Sequence, residues 1–315
     1  MNNIYDSLDK PFTVLAPLDD VSDVVFRQIV TSLAKPDLFF TEFVNVDGLQ
    51  SPGRNKLIHK FWLSKDDKPI IAQIWGKNPE NYQKTAGELV DLGFDGIDIN
   101  MGCPEKSVVK NGCCIALIDN RPLAEKIIKA TKKGANGKLP VSVKTRIGLN
   151  SVDLTWIEFL LKQDLDALYV HLRTKKEMSL VPAHWELADQ IRTLRDKISK
   201  NTLLIGNGDV RNKSQADKFA KKYGFDGIMI GRGIFADPYA FSDKSIWPNL
   251  KKEQRIEILK KHINLFLKTY PNRERSYHVM KRFCKIYVSG FDGAKDLREL
   301  IMKQNSLNDI ITLLK

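Results

Sequence analysis

Residues 202–233 read TLLIGNGDVRNKSQADKFAKKYGFDGIMIGRG. An apolar run, Thr202–Gly206, opens the stretch, and a second, Gly227–Gly231, nearly closes it. Both are short and mostly apolar, as strands buried on both faces of a parallel sheet should be. Between them Lys213–Tyr223 has helical spacing, and Gly224 stops it. The stretch is therefore a complete strand–helix–strand unit. Its strands run into glycine-rich loops, Gly206–Asn207–Gly208–Asp209 and Gly231–Arg232–Gly233.

The same unit recurs upstream. Runs at Phe12–Ala16, Leu38–Thr41, Ile70–Ile74, Gly96–Asn100, Val141–Thr145 and Ala167–His171 bring the strands to eight. Helical segments fit between them. Asn78 caps one that starts Pro79–Glu80 and stops before Gly93; Arg121–Pro122 opens another that closes near Gly134; Trp185–Ile198 fills a third gap. Phe94–Asp95–Gly96 and Phe225–Asp226–Gly227 are alike, and each leads from a helix into a strand. Eight such units with no reversal of period predict an α/β fold, a TIM (β/α)8 barrel. The rival is an open doubly wound sheet, but no G-x-G-x-x-G follows the first strand. Near Trp247–Pro248 the pattern changes. Only helical candidates follow, at about 251–269, 274–289, 293–303 and 306–314. The expected division is a barrel over 1–244 and a small C-terminal all-helical domain over 245–315.

The 315 residues suit one barrel of about 250 residues plus a small addition. With 43% hydrophobic and 28% charged residues the composition is that of a globular protein, which excludes disordered and fibrous classes. The start, MNNIYDSLDK, lacks a basic segment followed by an apolar run, and no apolar stretch approaches a membrane span. No signal peptide and no membrane contact are expected. Cys103, Cys113, Cys114 and Cys284 form no CxxC pair and no metal-ligand array with the five histidines, so no metal is expected. Free thiols fit a reducing cytoplasm. Residues 241–315 hold 16 Lys and Arg against 8 Asp and Glu, a net of +8 out of the chain's +12. Charge so concentrated suits a polyanionic partner, although a solvated helical surface would read the same way.

In this fold chemistry sits at the C-terminal ends of the strands. Strand 1 ends Ala16–Pro17–Leu18, a rigid wall for a flat ring or simply a constrained turn. Strand 3 ends near Gln73, whose amide can both donate and accept. Strand 4 runs into Asn100–Met101–Gly102–Cys103–Pro104. Cys103 could be a nucleophile, a general acid or a buried thiol. Cys113 and Cys114 look like small packing residues. Strand 5 ends Lys144–Thr145–Arg146, two cations that are costly there unless they meet anions. Strand 6 ends in His171, with Arg173 beyond it. The loops at Gly208 and Gly231 follow the two strands that commonly build a phosphate site, and Arg232 adds charge. FMN fits this set; a sugar phosphate would use the cradle without needing the Ala16–Pro17 wall.

With these residues in view, the chain resembles the tRNA-dihydrouridine synthase family over essentially its whole length. The similarity lies in Ala16–Pro17–Leu18, Ser22–Asp23, Phe26–Arg27, Thr41–Glu42, Gln73, Asn100–Met101–Gly102–Cys103–Pro104, Lys144–Thr145–Arg146–Ile147–Gly148, His171–Leu172–Arg173–Thr174, Gly206–Asn207–Gly208–Asp209 and Gly231–Arg232. Tyr287–Val288–Ser289–Gly290 and Lys295–Asp296–Leu297–Arg298 continue it into the tail.

A cytoplasmic monomer with no obligate protein partner is expected, and the resemblance implies an enzyme with tRNA as substrate, bound FMN and NADPH as reductant. Hydride would pass from flavin N5 to uridine C6, and Cys103 would deliver a proton to C5. Ala16, Pro17 and Leu18 would wall the flavin. Gln73, Lys144 and His171 would contact its head and ribityl chain, and Asn207, Gly208, Asp209, Gly231 and Arg232 its phosphate end. Asn100, Arg146 and Arg173 would face the substrate. In the tail, Lys268, Arg273, Arg275, Lys281, Arg282 and Lys285 are the expected tRNA contacts. The chain departs from the family at Leu18, commonly Met, at Leu172, commonly Gly, and at Cys113–Cys114, usually Gly, Ser or Ala. None removes a group the chemistry needs. Two other readings share some of these features: an FMN barrel acting on a free pyrimidine or other small molecule, and a non-catalytic RNA-binding protein on a relic barrel. The first has little use for the helical tail; the second does not explain the polar strand ends.

Overall fold

The computed structural model describes residues 3–315. Its centre is a parallel sheet: β1 (Phe12–Leu15), β2 (Phe39–Phe40), β3 (Val44–Asn45), β4 (Ile70–Trp75), β5 (Gly96–Met101), β6 (Val141–Arg146), β7 (Ala167–His171), β8 (Leu203–Asn207) and β9 (Gly227–Ile230). The strands follow the order β1-β9-β8-β7-β6-β5-β4-β2, with β3 beside β4. The last seam, β1 to β2, is held by the Val14–Leu38 bridge, where Leu15 N donates to Leu38 O (3.0 Å) and Leu38 N to Thr13 O (3.1 Å). The sheet thus curls into a nearly closed barrel.

All eight expected strands are present. The second is shorter than expected, because the Thr41 hydroxyl takes the amide of Gln73 (3.1 Å) and donates to Glu42 O (2.6 Å), ending the ladder early. The short β3 was not foreseen.

Around the sheet run α1 (Val24–Ala34), α2 (Val46–Leu49), α3 (Pro79–Asp91), α4 (Lys106–Lys110), α5 (Arg121–Ala135), α6 (Leu154–Leu161), α7 (Ala188–Ile198), α8 (Lys213–Tyr223) and the one-turn α9 (Gly233–Ala236). Side-chain caps start most of the longer ones: Asp23, Asn78, Asn120, Asp153 and Asn212 each accept amides of the first turn. The tail holds only helices, α10 (Lys252–Thr269), α11 (His278–Tyr287), α12 (Ala294–Lys303) and α13 (Leu307–Leu313). The helix expected from 274 begins only at His278, because residues 272–276 turn to bury Arg275. Among the described residues no helix is long and apolar enough to cross a membrane.

There are two apolar layers. Inside the barrel, Phe12, Val14, Phe40, Tyr169, Ile205 and Met229 pack with Tyr5 of the N-terminal turn. Tyr5 plugs the lower end, its hydroxyl 2.9 Å from that of Tyr169. The outer layer, between strands and helices, runs without a break into the tail. Phe26 of α1 lies against Phe283 (centroids 5.1 Å apart) and His262 (6.0 Å), and Trp62 stacks on Tyr270 (5.4 Å).

The helix-to-strand turns share one device. An aspartate before each of four strands accepts an amide at the start of the neighbouring strand: Asp37 for Thr13 (2.7 Å), Asp95 for Ile70 (2.9 Å), Asp166 for Val141 (2.8 Å) and Asp226 for Leu204 (2.9 Å). These bonds satisfy amides at the lower rim and leave the upper rim free for polar side chains.

Candidate active site

A cavity of about 620 Å³ opens at the upper rim. Ala16, Pro17, Leu18, Gln73, Asn100, Cys103, Lys144, Arg146, His171, Asn207, Gly208, Asp209, Gly231 and Arg232 all border it. The convergence follows from side-chain alternation along a strand. Inward-facing residues at adjacent strand ends share a level: Asn100 pairs with Lys144, Arg146 with His171, and His171 with Asn207.

The cysteine loop is fixed from two sides. The Asn100 side-chain oxygen accepts the amides of Gly102 and Cys103, each at 3.0 Å, while its nitrogen donates to Gln73 Oε1 (3.0 Å). From β6, Arg146 Nε donates to Gly102 O (3.2 Å). A Cβ on Gly102 would lie 3.2 Å from the Thr145 backbone carbon, so glycine permits this close approach. Cys103 is half-buried and packs against Cys113 and Cys114. A hydrogen bond with the Cys114 thiol leads the effects that lower the Cys103 thiol to about 7, against the penalty of burial. Burial instead pushes the Cys114 thiol well up. Cys113 and Cys114 are both buried beside Val108, as packing residues would be, and Cys114 in addition acts on the Cys103 thiol.

Beneath lies a polar layer that sequence reasoning missed. Asp98 is fully buried on β5 and accepts from Gln73 Nε2 (2.7 Å) and the Ser142 hydroxyl (2.7 Å). Burial raises its carboxyl to about 7, partly offset by those bonds. The available signal was a charged residue inside an apolar strand, two positions before Asn100. Gln73 is thus locked between Asp98 and Asn100. The wall also includes Phe43, Val210 and Arg211, none of which stood out in the sequence.

Lys144 is only half-buried, yet burial, with Arg146 close by, lowers its ammonium to about 8. Among the described residues no carboxylate pairs with it. Burial holds His171 well below the usual histidine range, reinforced by Arg146, Lys144, Arg173 and Arg232. Its ring is therefore neutral at physiological pH. Nε2 lies 3.4 Å from Arg173 Nη1, and the buried Nδ1 has no partner. An orphaned polar atom and an unpaired ammonium beside one cavity are groups left for a ligand.

The phosphate-type loops meet at the other side. Gly208 has φ +138°, and Trp185 Nε1 donates to its carbonyl (2.9 Å). A Cβ on Gly231 would meet only Ala16, at 3.7 Å. Arg232 is exposed and 3.9 Å from Asp209. The cation excess, the glycine loops and the orphaned histidine nitrogen fit an anionic flavin nucleotide.

Several expected contacts have other work. Asn207 borders the cavity but donates to Met229 O (2.9 Å), tying β8 to β9. The Asp209 carboxylate accepts Arg173 Nη2 and the Ala183 amide (2.8 Å), so it orders cations and does not itself face an anion. Arg173, expected at the substrate, is 2% exposed behind the wall. In the tail, Arg275 is buried against Glu42 and Asp23 and presents no surface to RNA. Lys281 donates to Met302 O (2.9 Å) and Gln304 O (2.8 Å), near the end of α12. Arg282 is exposed but pairs with Asp20 (3.0 Å). Lys268, Arg273 and Lys285 are exposed. Asp19, Asp20 and Glu42 bring their carboxylates within 4.8 Å of one another, with Lys60, Arg275 and Arg282 as counter-charges.

Comparison with known proteins gives a consistent picture. Residues 14–314 match the family described as "Dihydrouridine synthase (Dus)". The chain is 44% identical to the "Probable tRNA-dihydrouridine synthase" of Staphylococcus aureus strain COL, covering 99% of this chain and 94% of that protein. It is also 44% identical to the "Probable tRNA-dihydrouridine synthase 2" of Bacillus subtilis strain 168, covering 99% and 95%. Among solved structures, morphinone reductase superposes with a TM-score of 0.54 at 13% identity, over 76% of this chain and 86% of that one. A variant of NCR from Zymomonas mobilis gives 0.51 at 18%, over 76% and 89%. At such identities the likeness is one of fold.

Proposed function

The chain belongs to the dihydrouridine synthase family, and from that premise we propose that it reduces uridines in tRNA to 5,6-dihydrouridine, using FMN and NADPH. One observation carries the reading. The Cys103 thiol and the two glycine loops open on a single cavity that also collects Gln73, Lys144 and His171.

When bound, the flavin supplies hydride to C6 of the uridine after reduction by the nicotinamide. The protein's own groups do the rest. Gln73, Lys144 and His171 hold the flavin head and ribityl chain; Ala16, Pro17 and Leu18 wall it. Gly208, Gly231 and Arg232 hold its phosphate, with Asn207 and Asp209 shaping that end. Negative charge near Lys144 favours its ammonium form, and the neutral His171 serves as a hydrogen-bond donor through Nδ1. Cys103 gives its proton to C5, and Asn100 fixes where that proton starts. The Cys103 thiol falls near neutrality, so both protonation states are accessible at working pH. A uridine in folded RNA must leave its stack to reach this cavity. The barrel over 1–244 is the catalytic part, and the helical segment over 245–315 is the RNA-binding part. Lys268, Arg273 and Lys285 are its phosphate contacts. The protein works as a monomer in the cytoplasm.

Purified protein should be yellow, NADPH should bleach it, and tRNA from a strain lacking this gene should regain dihydrouridine when the gene is returned. Cys103→Ala should keep its flavin and stop turnover. Protein that binds tRNA but neither flavin nor NADPH would sink the reading.

A further inference from the structure

Large apolar side chains exposed to water are unevenly spread over this protein. Of the nine among the described residues, four lie on the two loops that leave β6 and β7 at the end of the barrel where the cavity opens: Val152 after β6, and Met178, Leu180 and Val181 after β7. Leu180 is 86% exposed, far more than any other.

These loops are held firmly. The amides of Lys175 and Lys176 donate to Gly148 O (2.9 Å) and Leu149 O (2.8 Å), joining one loop to the other. Arg146 donates to the carbonyls of Thr174 and Met178, both at 3.0 Å. Arg173 Nε donates to Val181 O (2.6 Å). Leu180 N closes a turn onto Glu177 O (2.9 Å), and Met178 sits at φ +53°, an uncommon conformation for a side-chain-bearing residue. Two buried or half-buried arginines and a strained residue thus keep an apolar tip in water. A loop that only linked two elements would need none of this. Arg146 also bonds Gly102 O beside Cys103, so the tip and the cysteine share one anchor.

The surroundings choose the occupant. Lys175 and Lys176 precede the tip, and Glu177 is turned inward onto His184 (2.9 Å) and the Thr174 amide (2.7 Å). An apolar tip flanked by cations complements a nucleic acid, whose bases are apolar faces bordered by phosphates. Withdrawing a base from its stack leaves a gap that collapses unless something fills it.

We infer that Leu180, supported by Met178 and Val181, is a wedge that enters the RNA stack beside the target uridine and holds it open. This rests on the tRNA reading above and adds how the substrate is presented.

The test compares full-length, flavin-loaded wild type with Leu180→Ser, using unmodified tRNA transcript. At 86% exposure the substitution should not affect folding. Expected are flavin reduction by NADPH within twofold of wild type, at least a tenfold fall in kcat/KM for dihydrouridine formation, and weaker tRNA binding with an unchanged salt slope, since no charge is removed. Turnover and binding both within twofold of wild type would overturn the wedge and leave the patch to a protein partner. If wild type binds tRNA without making dihydrouridine, the enzymatic reading fails; a loss of binding in the variant would still support the RNA contact. If wild type does not bind tRNA, both fall.

Discussion

Arg275 grips Glu42 with both terminal nitrogens, at 2.8 and 2.9 Å, across 233 residues of chain. Its Nε lies 3.3 Å from Asp23, and all three side chains are at most 4% exposed. This joins the turn before α11 to the end of β2 and the cap of α1. Arg275→Met should cost about 3–5 kcal/mol, because it takes the buried counter-charge from two buried carboxylates and leaves Glu42 only the longer contact to Lys60 (3.8 Å). Urea denaturation measures it. The salt slope of tRNA binding should not change, whereas loss of a phosphate contact would lower it by about one.

Asn100 should matter through geometry. Its oxygen holds two successive amides of the cysteine loop. Asn100→Ala frees that loop, and displacements of about 1 Å at a reacting group can cost ~100-fold. A fall of roughly 10- to 100-fold in turnover is expected, with flavin content retained. Loss of flavin with unchanged turnover per bound flavin would mean that Asn100 holds the cofactor and not the loop.

Much of this was legible in the chain. Strands and caps were readable because buried parallel strands are short apolar runs and because Asn and Asp before a helix satisfy its first amides. Strand ends identified the cavity residues, since the fold aims every inward residue at one rim. Two of the four aspartate turns showed as a shared Phe–Asp–Gly; Asp37 and Asp166 lack the motif, and only space reveals them. Partnership was not legible. Arg275 and Lys268 look alike in sequence, yet one meets carboxylates over 230 positions away and the other meets water. Cys114 likewise became meaningful only when folding set it against Cys103.

Lys144 should take up a proton when an anionic flavin nucleotide binds. In the protein alone its ammonium is lowered to about 8, chiefly by burial. A neighbouring anion raises that value, so the group becomes more protonated on binding. At pH 8 uptake should approach roughly half a proton, and at pH 6 almost none. Calorimetric titration of flavin-free protein with FMN, in buffers of different ionisation enthalpy, reads this directly. Lys144→Met should abolish the difference between buffers; if it persists, another group is responsible.

Cys103, as the acid, should make turnover depend on pH. Only the thiol form of Cys103 can give a proton, and its value of about 7 means that this form declines as pH rises through neutrality. When proton transfer limits turnover, activity should fall on the alkaline side with a midpoint near 7. The leading cause is the hydrogen bond with Cys114, which favours the Cys103 thiolate. Cys114→Ala removes it, and the midpoint should move up towards the ordinary thiol value of about 8.5. The sign is specific: the variant should keep relatively more of its activity at pH 8 than wild type does. The rate of Cys103 alkylation by iodoacetamide, which follows the thiolate, should shift in the same direction without any need for turnover, with Cys103→Ala as the blank. A Cys114 that only fills space would lower the plateau and leave both midpoints where they were.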